Sequence, residues 1–223
     1  MKRHPSLALL NAYVKGELSG PQALSITTHI ESSQYCKDIV SELEIAAAEE
    51  AFSAPDEVLA SSDDDMLAAI LALPQEQIAK PQEAVAEEPV TIEVNGKSFA
   101  VPKSLHNVMP KLQAWKNYGG RVYSASFDTD ESDKMSLLYI KAGVKVPQHT
   151  HKGLETTLIL HGSFKDEDGE YQAGDYLVTD GEVKHTPETT TEDCLCLIVM
   201  TDPMIFTQGL ARVFNRFGQG MYP

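Results

Sequence analysis

Cysteine is scarce in this chain: 223 residues hold three, Cys36, Cys194 and Cys196. Three thiols cannot supply the paired framework of a small secreted protein, and this usage points to a reducing, cytoplasmic setting. Cys194 and Cys196 sit one residue apart in "DCLCLIVM", an apolar strand-like run in which they are expected to fill core. No run of 18 apolar residues occurs, so no segment reads as a membrane span. The opening "MKRHPSLALLNAYVKGELSG" places basic residues before apolar ones, as a signal peptide does. Asn11 and Lys15 break that stretch, no small-residue cleavage pattern follows, and it reads as an amphipathic helix. Positive charge is scarce as well: 18 Lys and Arg stand against 33 Asp and Glu, a net of −15. Such a surface repels nucleic acid and anionic lipid, which argues against direct binding of either, and is compatible with a basic protein partner.

What the chain does have is 42% apolar residues, enough for a packed core, distributed over two halves of different character. Residues 76 to 89, "EQIAKPQEAVAEEP", are rich in Pro, Ala and Glu and read as a linker. Residues 1 to 75 read as a small helical bundle. "PSLALLNAYVKGEL" spaces Leu7, Leu10, Val14 and Leu18 near the helical period. Ser19 before Gly20 and Pro21 is a helix start, because proline's missing N–H costs nothing in the first turn. "CKDIVSELEIAAAEEAF" and "SDDDMLAAILAL" follow, the second with acidic residues where a helix N-terminus favours them. A domain of this size is marginal on burial alone and gains from a staple such as a metal.

Residues 90 to 223 read as strands. "VTIEVNGKSFAV" is a hairpin in which Asn95 and Gly96 supply the positive φ of a type I′ turn. "RVYSASFD" and "MSLLYIKAG" bracket a turn, and "SFKDEDGEYQAGDYLV" forms another hairpin through Asp168 and Gly169. Such spacing predicts an antiparallel barrel or sandwich, so the fold class is α+β with two domains. His149 and His151, two residues apart on a strand, point to one face. Gly153 permits a turn, and Glu155 opens the next strand; His185 lies thirty residues further on. Three imidazoles and a carboxylate suit zinc, iron, manganese or nickel. His106 and His161 carry no such pattern and read as ordinary hydrogen-bonding side chains.

The run G-x5-H-x-H-x3-E-x6-G from Gly143 to Gly162 resembles the first motif of the cupin barrels. That resemblance implies one metal inside the barrel on His149, His151, Glu155 and His185. The second cupin motif is looser: Gly174, Asp175 and His185 fit, whereas Asp180 replaces the usual proline, Gly181 comes one place early, and Thr189 replaces the usual asparagine. In the helical half, His4, His29 and Cys36 follow the pattern H-x24-H-x6-C. Joined to a cupin, this resembles the ChrR group of zinc-binding anti-sigma factors along nearly the entire chain. The resemblance implies zinc on His4, His29, Cys36 and a fourth ligand at position 33. Ser33 stands there, and a neutral hydroxyl is a poor zinc ligand beside a thiolate.

The same resemblance implies a regulator that grips a sigma factor of the extracytoplasmic-function class through its helices. Residues 1 to 80 carry 5 basic and 13 acidic side chains, a net of −8, which suits a partner with basic DNA-binding surfaces. The cupin half is then the sensing arm, for singlet oxygen or related photo-oxidative and peroxide stress. The competing class is a metal-dependent cupin enzyme, a dioxygenase or isomerase, with a helical appendage. No residue in the sequence marks a substrate or an additional general base.

Overall fold

Serine hydroxyls start the helices of the first half. In the computed structural model, which describes residues 2–53, 63–74, 89–208, 212 and 215, Ser6 caps α1 (Leu7–Val14) by accepting the Leu9 N–H at 3.2 Å. Ser19 caps α2 (Gly20–Ser32), with Pro21 in the first turn as expected. Its hydroxyl also donates to Asp133 at 2.6 Å, which anchors the helix start to the second half of the chain. Ser33 caps α3 (Gln34–Phe52) through the Cys36 N–H, and α4 spans Asp63–Leu71. The apolar stripe of α1 departs from the spacing read in the sequence at Leu7. Leu10 is buried and Tyr13 and Val14 pack beside it, while Leu7 is 64% exposed and Leu18 lies beyond the helix. The linker expected at 76–89 lies, but for Pro89, outside the described residues.

The second half opens with the hairpin β1 (Thr91–Val94) and β2 (Lys97–Ala100), turned by Asn95 and Gly96 at φ 51° and 72°. A 3-10 helix, Lys103–Lys111, follows, and it includes His106. Then come β3 (Lys116–Tyr118), β4 (Val122–Ser126), β5 (Lys134–Ile140), β6 (His149–His151), β7 (Glu155–His161) and β8 (Ser163–Lys165). The chain continues through β9 (Glu170–Gln172), β10 (Tyr176–Thr179), β11 (Cys194–Met200) and β12 (Met204–Phe206). One antiparallel sheet has the order β10-β7-β11-β5-β4-β3. Opposite it, β6 pairs with β12 and β8 with β9, stitched by single bridges from Glu188 to Lys145 and Lys165 and from His149 to His185. The strands form facing sheets of cupin type and not a closed barrel.

Strand β11 shows why its sequence is apolar without alternation: both of its faces are covered. Cys194, Cys196, Ile198 and Met200 fill the space between the sheets with Ile159, Phe164 and Phe206. The two cysteines therefore fill core, as the sequence suggested. Leu195, Leu197 and Val199 point the other way, into a cluster that also takes Leu10, Ile26, Cys36 and Val40 from the helices. Helix α2 thus lies on β7, β11 and the 3-10 helix, and Glu31 accepts the Lys103 and Ser104 N–H groups at 2.9 Å each. The helices do not surround a core of their own; they share one with the outer face of the sheet. Burying Ile26 completely in that shared layer contributes about 2 kcal/mol.

Candidate metal centres

Strand pairing delivers the four cupin residues to one point. His149 and His151 project from the same side of β6, while Thr150 between them donates to the carbonyls of Gly181 and Val183 at 3.0 and 2.7 Å. Those bonds hold the loop that leads to His185, whose backbone exchanges two hydrogen bonds with His149. Glu155 is the first residue of β7, and Thr157 donates to its Oε1 at 2.9 Å. One donor atom from each of His149, His151, Glu155 and His185 lies within 4.8 Å of the others, and all four residues are buried. Thr189, where the motif has asparagine, donates to the Lys141 carbonyl at 2.6 Å and accepts the Val144 N–H, fixing the loop ahead of β6.

The donor chemistry fits a cation. His149 Nδ1 faces the Pro147 carbonyl at 2.9 Å and so carries the proton, which leaves Nε2 a bare lone pair. His185 Nδ1 faces Asp166 at 3.5 Å, which assigns its proton in the same way. The two Nε2 atoms stand 2.9 Å apart, so two lone pairs confront each other unless something positive sits between them. His151 Nδ1 and Nε2 and Glu155 Oε2 make no hydrogen bond, although His151 Nε2 and Glu155 Oε2 are in contact. Burial, then repulsion from His185, pushes His149 down to about 4, so its ring is neutral at pH 7. Burial pushes Glu155 up, but His151 and the neighbouring rings outweigh it and hold the carboxyl at about 2. Burial pulls His185 down, yet Asp166 prevails and raises it above the usual value. Without a metal, a proton on His185 would bridge to His149; a divalent ion would take that proton's place.

The second cluster is at the join between helices and sheet. His4 Nδ1 lies 3.0 Å from His29 Nε2, 3.6 Å from Cys36 Sγ and 3.5 Å from Ser33 Oγ. Donor atoms of His4, His29 and Cys36 all fall within 4.8 Å of one another. The Ser33 hydroxyl lies beside this cluster and accepts the Cys36 N–H at 3.3 Å. Burial, then the charges of His4 and Lys2, lowers His29 to about 4, which keeps it neutral and able to ligate. Two imidazoles and a thiol converging on one point fit zinc, with an oxygen in place of a second sulfur. His161 and His106 lie outside both clusters and donate from Nε2 to the carbonyls of Ala100 and Val101 at 2.8 and 3.1 Å.

Sequence reasoning missed the groups behind these donors. Asp166 belongs to the "KDEDGE" turn, whose acidity reads as solvated loop, yet its carboxylate reaches His185 and accepts the Tyr171 hydroxyl at 2.9 Å. Asp175 accepts the Arg3 N–H at 2.9 Å, and Tyr176 donates its N–H to the Arg3 carbonyl at 3.0 Å. Contacts 172 residues apart leave no local signature.

Comparisons with known proteins agree with this architecture. The family described as the ChrR Cupin-like domain matches residues 109–205. The anti-sigma-E factor ChrR of Cereibacter sphaeroides is 32% identical over 221 residues, which are 97% of this chain and 98% of that protein. The crystal structure of Rhodobacter sphaeroides SigE in complex with the anti-sigma ChrR superposes with a TM-score of 0.68 at 29% identity, covering 89% of this chain and 98% of that one. The enzymatic alternative falls with these matches. At 32% identity along nearly its whole length, the chain belongs to the ChrR family, a family of regulators and not of enzymes.

Proposed function

We propose that this chain is an anti-sigma factor: its helices bind and inhibit an extracytoplasmic-function sigma factor, and its cupin half senses the signal that releases it. The observation that carries the reading is an apolar surface on the helices. Ile45 and Phe52 on α3, and Met66, Leu67, Ile70 and Leu71 on α4, are all more than half exposed, Phe52 to 89%. A short helix with Leu, Ile and Met on its surface is suited to lie in a groove of a protein partner. Full burial of each such side chain is worth about 1.5–3 kcal/mol. The whole-length similarity to a protein crystallised with its sigma factor gives the partner its class.

In this reading zinc sits on His4, His29 and Cys36, with Ser33 as a weak fourth neighbour. Zinc, iron, manganese or nickel sits on His149, His151, Glu155 and His185. The metal in the cupin supplies a Lewis-acidic point in an otherwise apolar interior. The signal is photo-oxidative, singlet oxygen above all, or peroxide stress, and the complex forms in the cytoplasm, where sigma factors meet polymerase.

The test is sigma-dependent transcription in vitro with the full-length chain. Leu67→Asp with Ile70→Asp should abolish inhibition while leaving melting temperature and metal content unchanged, since both side chains are exposed. Full inhibition by that folded variant would remove α4 from the grip. His149→Ala with His151→Ala should keep inhibition but lose release under singlet oxygen.

A further inference from the structure

We propose that the interior of the cupin half binds a small, mainly apolar organic anion, a reading that rests on the cupin being the sensing arm. A cavity of about 810 Å³ opens between the sheets, within the size range of small-molecule sites. Leu138, Ile198, Met204 and Phe206 form its walls, and His149, Glu155 and His185 lie at one end. The charge of the lining runs against the rest of the chain. Of 33 acidic residues, Glu155 alone lines it among the described residues, and it is already engaged by His151 and Thr157. Arg121 and Lys145 also line it, and both are exposed at the surface. An apolar body is favoured by the walls and a negative head by the cations, so a long-chain carboxylate meets both demands. Calorimetric titration of the full-length, metal-containing chain should show decanoate binding on the order of a hundredfold tighter than hexanoate, at about fourfold per buried methylene. Arg121→Ala with Lys145→Ala should weaken decanoate about tenfold and leave decanol unchanged. No heat from decanoate, or equal affinity for hexanoate and decanoate, would overturn the site. Metal content and sigma inhibition, measured on the same sample, report separately on the reading beneath it.

The N-terminal arm carries a second inference from different contacts. His185 meets Asp166, Asp166 accepts the Tyr171 hydroxyl, and the Arg3 guanidinium lies over the Tyr171 ring at 4.5 Å. The Arg3 backbone is bonded on both sides to Asp175 and Tyr176 at the start of β10. Its neighbour in sequence is His4, a corner of the helical cluster. A second cavity, about 560 Å³, lies along this path with His185 and His4 both in its wall. The geometry assigns Arg3 as a positioning residue that ties His4 to the state of the cupin centre. Cobalt loaded into the full-length chain reads the helical site alone, because the Cys36 thiolate gives a charge-transfer band that the cupin donor set cannot. Arg3→Ala should speed loss of that band to a chelator about tenfold, and Arg3→Lys should restore part of the difference. His185→Gln should speed it in the parent chain but add nothing in the Arg3→Ala background. Independent, multiplicative effects of the two substitutions would overturn the tie, since coupled sites depart from additivity. Absence of the band in the parent chain would instead remove the metal reading of the helical half, and the role of Arg3 with it.

Discussion

Gly143 and Gly162 bound the cupin motif with the same backbone conformation, φ +71° and +74°, yet alanine should be tolerated very differently at the two positions. At Gly143 a Cβ would meet only the Thr190 carbonyl, at an ordinary 3.9 Å. The cost there is the left-handed conformation itself, about 1–2 kcal/mol, offset in part by the stiffer unfolded chain. At Gly162 a Cβ would fall 1.8 Å from the Asp193 carbonyl oxygen and 2.9 Å from its carbon. Those are backbone atoms, and Asp193 cannot swing aside: its carboxylate holds the Tyr139 hydroxyl at 2.6 Å and the Ala142 N–H at 2.8 Å. The end of β7 and the start of β11 must separate, at the scale of an overpacked core, about 1–3 kcal/mol more. Gly143→Ala should therefore cost about 1 kcal/mol and Gly162→Ala about 3 kcal/mol. For a chain of this length that is a fall in melting temperature of about 3 °C against about 10 °C. Scanning calorimetry on both variants measures the difference. Equal shifts would refute the argument, because they would show that the conformation alone sets the demand for glycine at Gly162.

Ser33→Cys should slow zinc release to a chelator from the helical site, because a thiolate replaces a hydroxyl, while weakening the α3 cap by about 1 kcal/mol; unchanged release would mean that the fourth corner is not a ligand position. His149→Ala with His151→Ala should remove close to one equivalent of divalent transition metal by elemental analysis, and full retention in a folded variant would reject the cupin centre. Burial raises the Asp193 carboxyl, but Lys97, Tyr139 and the Ala142 N–H outweigh it and hold it below the usual value. Asp193→Asn should thus cost about 2 kcal/mol at neutral pH. With the folded pKa depressed, that gap is present above the ordinary carboxylate range and closes as pH falls through the folded value. Denaturant titrations from pH 7 down to 2 follow it, and a gap that widens toward acid would contradict the assignment.

Much of the candidate site was legible because its determinants are local. Two histidines at spacing two share a strand face whatever the rest of the chain does, and Ser19 before Gly20 and Pro21 can hardly do other than begin a helix. The hairpin at Asn95 and Gly96 follows from the same kind of rule. Packing partners were not legible. The period of α1 gave a stripe through Leu7, Leu10, Val14 and Leu18, but burial is decided by what α3 and the sheet leave open, and they cover Leu10, Tyr13 and Val14 and not Leu7. The segment around His106 has no strand or helix period, yet a 3-10 helix forms there with Pro102 at its start and Pro110 inside it, and buries Leu105 against α2. Asp166 was hidden by its acidic neighbours, whose usual destination is water.

The layer shared by Leu10, Ile26 and Cys36 with Leu137, Leu195 and Leu197 has a thermodynamic meaning. Two modules hung on a tether melt in two steps, each with its own heat capacity increment, and can be separated by cutting between them. Here the helices supply one side of a layer whose other side is the sheet, so neither retains a full complement of neighbours without the other. Heating should give a single transition whose calorimetric and van't Hoff enthalpies agree for α1–α3 and the sheets together. A truncated helical fragment would present Ile26 to water and report on a different molecule. Cooperativity of this kind makes the stability of the helices a running readout of how well the cupin half is packed.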